Sequence, residues 1–344
     1  NALAGRPINW RSPQQVLDLL RRLGIQAPNT RESTLKEVAD RYPIARPIVR
    51  KLLEYREVAK AYSTYGADFL KHVHEATGRI HADWCQIGAE SGRMACRDPN
   101  LQNIPSDGGY RGCIVAPPGR VFVKADYSQI ELRIAAKIAP DERMLEAYRE
   151  GRDLHTLTAT ALLGRKEITG ADRQLAKAIN FGLIYGLAPQ GLQRYARWQY
   201  GVEMSDQEAE DFHRRYFELY PGVRQWHEGV WKALKGESTL VVRTVTGRWR
   251  RVDYFYDAVN TPVQGTGADG LKLALALLWE RRHECPDTHP ILAVHDEIVV
   301  EAPEDKAETA REWLVRAMTD AMQPLIHPVP VEVEASITKT WETS

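Results

Sequence analysis

Cysteine is scarce in this chain of 344 residues: Cys85, Cys96, Cys113 and Cys285 are the only four, and no two form a C-x-x-C pair. That argues against a zinc knuckle or a disulfide framework and favours a reducing compartment. No stretch approaches the roughly 18 consecutive apolar residues of a membrane span, so no membrane partner is expected. The first residues, Asn1-Ala2-Leu3-Ala4-Gly5-Arg6, lack a methionine, a basic leader and an apolar core. They do not read as a signal peptide, and the missing Met points to a fragment or a processed product. Internal repeats and low-complexity tracts are absent, which removes solenoids and linkers. G-x-x-x-x-G-K-[ST] does not occur, so phosphate would not be held in a P-loop manner. The one G-x-G-x-x-G spacing, Gly265 to Gly270, falls inside a stretch that reads as helix rather than at a strand-to-helix turn, so it is no Rossmann signal.

Net charge is absent too, with 46 basic residues against 46 acidic ones. Locally the balance breaks. Arg41, Arg46, Arg50, Lys51, Arg56 and Lys60 face only Glu54 and Glu57 over residues 41–60, whereas residues 301–320 are mostly acidic. Such segregation leaves room for a positive groove on a neutral protein, although solvated helix faces give the same pattern. The composition, 43% hydrophobic and 27% charged, is that of a soluble globular protein.

Residues 12–24 read as a helix, with Ser12 as N-cap, Pro13 at the first position and Gly24 as the stop. Residues 46–74 read as a longer helix on the spacing of Ile48, Leu52, Tyr55, Val58, Tyr62 and Phe69. An irregular stretch, 76–120, is long enough to be functional. Val121 to Asp126 is a β-branched run ending in a carboxylate, followed at once by the helical spacing of Ile130, Ile134 and Ile138. Helices are expected to about residue 235, a hairpin over 239–256 around Thr246-Gly247, and a helix over 264–284. A second hairpin joins Ile291–Val294 to Ile298–Val300 through His295-Asp296-Glu297, before a helix at 304–322 and a strand at 329–335. Strands mingled with hairpins and helices predict an α+β fold.

Two carboxylates stand out by position. Asp126 ends one strand and Asp296 sits at the tip of a hairpin 170 residues later. If the strands are neighbours, the side chains converge at the sheet edge, where paired carboxylates suit Mg²⁺. Either one alone would be an ordinary turn residue. Arg173, Lys177, Phe181 and Tyr185 recur every four residues and form one gently spiralling stripe on a helix. Two cations followed by two rings suit a nucleoside triphosphate. An amphipathic helix with buried rings and snorkelling cations is the plainer reading, but it leaves the alignment of cations with rings unexplained.

These residues carry a resemblance. Asp126-Tyr-Ser-Gln-Ile-Glu-Leu-Arg133 is similar to motif A of family A (polymerase I-like) DNA polymerases, Arg173 to Gly186 to motif B, and Val294-His-Asp-Glu297 to motif C, in the family's order. Ser91-Gly-Arg93, Asp98 to Pro105 and Thr261 to Thr266 match further family stretches, and the likeness runs from about residue 3 to the C-terminus. It implies a right-hand polymerase fold with an antiparallel palm sheet (76–139 and 236–344), helical fingers (140–235) and a truncated helical thumb (1–75). The implied activity is DNA-directed DNA synthesis, in which a primer 3′-hydroxyl is extended with deoxynucleoside triphosphates through two Mg²⁺ ions, Mn²⁺ being a possible substitute. Primer–template DNA is the implied partner, the protein a monomer, and the location cytoplasmic and nucleoid-associated. The exonuclease domains of many relatives have no counterpart here, so no proofreading is expected of this chain.

Residue by residue, the resemblance places the metals on Asp126, Asp296 and the Tyr127 carbonyl, with Glu297 as an auxiliary acid. It places the nucleotide on Gln129, Glu131, His155, Arg173, Lys177, Phe181 and Tyr185, with Lys177 also catalytic and Glu131 as a gate against a 2′-hydroxyl. DNA contacts fall on Lys60, Arg93, Asn100, Gln102, Asn103, Gln264 and His295, although an Asn or Gln can equally tie down its own loop. Two departures stand out. Trp249 replaces an Arg in Gly247-Arg-Trp-Arg-Arg251, and the segment from there to Pro262 is about a dozen residues shorter than in typical relatives, judged from the resemblance, which implies a changed contact near the primer strand. The rivals are a single-subunit RNA polymerase, against which Glu131 argues, and a catalytically silent DNA-binding subunit.

Overall fold

The computed structural model describes residues 5, 7–106 and 108–342. The chain divides into two compact units, one ending at His81 and the other starting at Ala82. The first holds α1 (Pro13–Arg22), α2 (Glu32–Arg41), α3 (Arg46–Tyr65) and a hairpin of β1 (Val73–His74) with β2 (Arg79–Ile80). Ser12 caps α1 as the sequence predicts, its side chain accepting from the Gln15 amide. α2 was not anticipated. The helix expected over 46–74 ends at Tyr65, because Gly66 is extended (φ −76°, ψ −157°). A short 3₁₀ helix, Ala67–His72, follows. Phe69 keeps the helical spacing, but a glycine with no side chain to hold it in a helix interrupts the pattern. The unit has its own small apolar cluster around Ile8, Leu19 and Ile48.

The second unit opens with a hairpin of β3 (Asp83–Cys85) and β4 (Ala95–Arg97), then β5 (Arg120–Tyr127). Seven helices follow: α4 (Ile130–Ile138), α5 (Glu142–Arg149), α6 (Leu154–Leu163), α7 (Gly170–Ile184), α8 (Pro189–Tyr200), α9 (Asp206–Leu219) and α10 (Pro221–Gly236). Next come β6 (Leu240–Arg243) and β7 (Trp249–Val252), the 26-residue α11 (Phe255–Glu280), β8 (His289–Val294), β9 (Glu297–Pro303), α12 (Ala307–Ile326) and β10 (Val333–Thr338). The main sheet is antiparallel in the order β10-β5-β9-β8, and the fold is α+β as the sequence predicts.

Two boundaries differ from expectation. α11 starts nine residues before position 264 and carries Pro262 inside it. Proline lacks the N–H and normally ends a helix, so the preceding residues read as loop. The last strand begins at Val333 rather than 329. The chain before it is tied to α12 instead, with the Gln323 side chain donating to the Val329 carbonyl and accepting from the Val331 amide.

β5 and β9 are central and mostly buried. Behind the sheet, α12 supplies Trp313, Leu314, Met318 and Met322, all at most 2% exposed. The Tyr127 hydroxyl reaches through this core to donate to the Met318 carbonyl (2.7 Å). A rigid apolar backing of this kind fixes the strand ends that carry the polar residues described next.

Candidate active site

Asp126 is the penultimate residue of β5, and Asp296 lies in the two-residue turn between β8 and β9. β5 and β9 are hydrogen-bonded neighbours, with Asp126 opposite Glu297 and the Tyr127 amide donating to the Asp296 carbonyl (3.3 Å). The two acids therefore meet at one edge of the sheet. His295 and Gln129, next to the acids on the hairpin and on the strand-to-helix junction, both have left-handed backbones (φ +59° and +51°). Such conformations are uncommon for residues other than glycine, and they cluster where a site demands them.

The sequence reading missed the row of acids to which Asp126 belongs. On its other side β10 places Glu334 directly opposite. Residues directly opposite in antiparallel strands share a face, so Glu297, Asp126 and Glu334 stand in line across three strands, an arrangement that costs stability through like-charge repulsion. Lys124 and Ser336 form the next row of the same face. The Glu332, Glu334, Ser336 alternation leading into the last strand was the available signal, but nothing local told which strand it would pair with.

Burial first, then Asp296 and the two flanking glutamates, pushes the Asp126 carboxyl up to about 7. Asp296 is pushed up to about 6, again by burial first and then by Glu131 and Glu297, with its own backbone N–H working against the rise. Asp126 still presents a face to water. It is the protein crowding round the cleft that strips its carboxylate of solvent. Neither acid has a basic partner within ion-pair distance among the described residues. No group of three or more His, Cys, Asp or Glu side chains forms an ion cage there either. Two crowded, unpaired carboxylates beside a main-chain carbonyl make an open set of hard oxygens. That donor set fits a cation such as Mg²⁺, which takes few protein ligands and keeps water and phosphate on its other sites.

The acids form the floor of a cleft of about 810 Å³. Its far wall is α7, which contributes Arg173, Lys177 and Phe181, so the stripe seen in the sequence does face the acid pair. Thr169 and Asp172 close a capping box at the start of α7. Tyr185 is the residue that ends the helix, and it is buried. Arg173 is exposed but engaged. Its Nε and Nη2 donate to both oxygens of Asp153 (2.9 and 3.1 Å), which also accepts from Gln129 Nε2 (3.1 Å). Burial alone would raise the Asp153 carboxyl, but bonds from Arg173 and Thr156 outweigh it and hold the group well below the carboxylate range. Lys177 is half-buried and has no acidic partner among the described residues, which leaves its charge free to meet an anion.

His155 is buried at the N-terminal end of α6, its Nδ1 accepting from the Asn180 amide (2.9 Å). Burial pulls its pKa down to about 4, so at neutral pH it is an uncharged ring with a free Nε2–H. Glu131 on α4 is clamped from two sides. Arg93 Nη2 donates to its Oε1 (2.6 Å) and the Tyr185 hydroxyl donates to its Oε2. Glu131, Lys177 and Phe181 also wall a second cavity of about 460 Å³ with Tyr185, Tyr195, Tyr200, Tyr256 and Gln264.

The remaining predicted residues divide. Arg93 and His295 line the main cleft, and Gln264 the second cavity. Gln102 donates through Nε2 to the Ala293 carbonyl (2.9 Å), tying the 101–103 turn to β8. Asn100 caps that turn with its own side chain, so in this structure both tie down a loop. Asn103 is exposed nearby in sequence, and Lys60 lies exposed on α3 of the first unit. Glu297 takes a hydrogen bond from the Trp341 indole (2.8 Å), a contact that no spacing argument could supply.

Comparison with known proteins agrees with this geometry. The family model described as DNA polymerase family A matches residues 1–343. The DNA polymerase I of Aquifex aeolicus is 42% identical over 339 residues, covering 96% of this chain and 58% of that protein. The thermostable DNA polymerase I of Thermus aquaticus is 37% identical, covering 98% of this chain and 42% of that protein. This chain therefore spans about half the length of these curated relatives. Among solved structures, the POL domain of Pol1 from M. smegmatis in complex with DNA primer-template and dNTP superposes with a TM-score of 0.81 at 28% identity, over 99% of this chain and 62% of that one. With the match running nearly from end to end and the acid pair facing the α7 stripe, the chain belongs to DNA polymerase family A.

Proposed function

We propose that this chain is a DNA-directed DNA polymerase module that extends a primer 3′-hydroxyl on a DNA template with deoxynucleoside triphosphates. The observation that carries the reading is the opposition of two unpaired carboxylates, Asp126 and Asp296, to the cations of one helix across a single cleft. In this reading the sheet with its backing helices is a palm, α5–α10 are fingers and the first unit is part of a thumb. Asp126, Asp296 and the Tyr127 carbonyl would hold two Mg²⁺ ions, with Mn²⁺ as a substitute. When bound, these would supply the positive charge that acidifies the 3′-hydroxyl and offsets the triphosphate.

The chain's own side chains complete the site by positioning and electrostatics. Lys177 meets the triphosphate directly. Arg173 does so by sharing or leaving Asp153, and Gln129, bonded to the same carboxylate, moves with that exchange. His155, neutral, donates from Nε2 to a phosphate oxygen without adding charge. Phe181 packs on the sugar, and Glu131, held by Arg93 and Tyr185, fills the space a 2′-hydroxyl would need. Tyr185 stacks at the templating position. Arg93, Gln264 and His295 meet the duplex near the primer terminus, where minor-groove acceptors occur in every pair and permit shape checking without sequence readout. Asn100, Gln102 and Asn103 contact the strands while bracing their turn, and Lys60 meets phosphates.

Primer extension tests the reading. D126N and D296N should each lower the rate at least about a thousandfold, the scale of losing a central electrostatic group, while E131A should admit ribonucleotides. Wild-type extension by D126N would refute the metal placement. Parallel DNA and RNA templates would separate the reading from an RNA-directed or RNA-making enzyme.

A further inference from the structure

Glu297 sits opposite Asp126, in a row where like charges repel. It is the first residue of β9, beside a turn, and a free carboxylate there would relieve the repulsion by rotating into water. It does not, because its Oε1 accepts the Trp341 indole N–H at 2.8 Å. Trp341 is a firm anchor. Its side chain is fully buried, the Arg111 guanidinium lies 4.3 Å from its ring, and its amide donates to the Ile114 carbonyl (3.0 Å). Either side of it the tail is pinned again. Thr340 forms a β-bridge with Val115, and Lys124 Nζ donates to the Glu342 carbonyl. No basic side chain forms an ion pair with Glu297 among the described residues. Lys124, on the next row of the same face, is a cation that feels its charge, and the Glu297 carboxylate lines the cleft.

We propose that Trp341 is a positioning residue, which fixes the Glu297 carboxylate beside Asp126 and Asp296 and so strengthens the hold of the cleft on divalent cations. This rests on the reading of the acid pair as the metal site. The tail thus acts through Glu297 and touches neither nucleotide nor reacting atoms. An outer group that orients an acidic neighbour commonly changes metal affinity without being a ligand.

The test is Mn²⁺ binding to the purified chain without DNA, with free Mn²⁺ read by electron paramagnetic resonance. W341F keeps an aromatic ring and removes the N–H. Benzothienylalanine at position 341 keeps the full bicyclic shape without the N–H and serves if W341F folds poorly. Each should weaken Mn²⁺ binding up to roughly tenfold. E297Q should do the same, and W341F/E297Q should be no weaker than E297Q alone. Primer extension by these variants should need more Mg²⁺ at an unchanged nucleotide KM once Mg²⁺ saturates. A change below about twofold in both variants lacking the N–H, with D126N abolishing binding, overturns the positioning role and leaves the metal site standing. Binding retained by D126N overturns the metal site itself, and this inference with it.

Discussion

Asp126 carries its burden because of its neighbours rather than its type. A strand-end aspartate in water ionises far below neutral pH. Here burial and three further acids lift the group to about 7, so the metal-free protein bears the cost of a carboxylate that the fold disfavours. The sign follows. A raised carboxyl costs stability above its folded pKa, and the cost disappears as pH falls from about 7 towards 4. Removing the charge with D126N should therefore raise the melting temperature of the metal-free protein at pH 8 by roughly 2–4 °C, discounted for the exposure of the group. The gain should fade at pH 5. Scanning calorimetry at both pH values checks this, and an equal gain at both would mean that packing, not charge, was relieved. His155 runs the other way. With its pKa depressed to about 4, its stabilising contribution is lost as pH falls through 6.5 towards 4.

At the scale of elements, the turn joining β6 to β7 is held to its surroundings chiefly through Arg248. Arg248 Nε donates to Asp269 Oδ1 (2.9 Å) on α11, and its Nη2 donates to the Ser91 and Gly265 carbonyls (2.7 and 3.1 Å). Glycine is required where it passes. A Cβ on Gly92 would lie 2.4 Å from the guanidinium, and Gly92 has φ +87°. Through these bonds the hairpin, α11 with Gln264 and the loop bearing Arg93 become one support. R248M would leave the Asp269 carboxylate, 8% exposed, with Thr246 and a distant Lys272 as its remaining partners. It should cost about 2–4 kcal/mol, at or below the usual loss for breaking a buried pair because Arg248 itself is partly exposed. Urea denaturation measures it. An unchanged midpoint would show that the arginine is not a strut. Only two residues separate β7, which ends at Val252, from α11, which begins at Phe255.

At the scale of the whole molecule, each of the two units has an apolar cluster of its own among the described residues, which favours separable folding. Residues 82–344 alone should give a single cooperative melting transition and keep binding Mn²⁺. The same fragment should lose the cations of α3, Lys60 among them. Its affinity for primer–template DNA should then fall less steeply with salt, the slope shrinking by roughly 0.9 for each phosphate that the first unit would have neutralised. Fluorescence anisotropy across a salt series reads this. An identical slope would mean that the first unit neutralises no phosphate. Zero net charge does not prevent such a response, since phosphate meets local charge rather than the average.

Much was legible in order along the chain. Ser12 and Pro13 begin α1, the β-branched run to Asp126 is β5, the hairpin through His295 and Asp296 exists, and the four-residue recurrence of Arg173, Lys177 and Phe181 is a face of α7. Those features are local, because period, capping chemistry and turn residues act over a few positions. Where local reading failed, the cause was physical: Gly66 cut a helix that its apolar spacing continued, and Pro262 sat within one it should have ended. By itself, then, the sequence determined most of the elements, the two aspartates and the family likeness. Only the tertiary structure decided that Glu334 joins Asp126, that Asp153 holds Arg173, and that Trp341 restrains Glu297. Pairing register and contacts between residues from 20 to about 200 positions apart depend on which surfaces bury one another, and no short-range pattern encodes that choice.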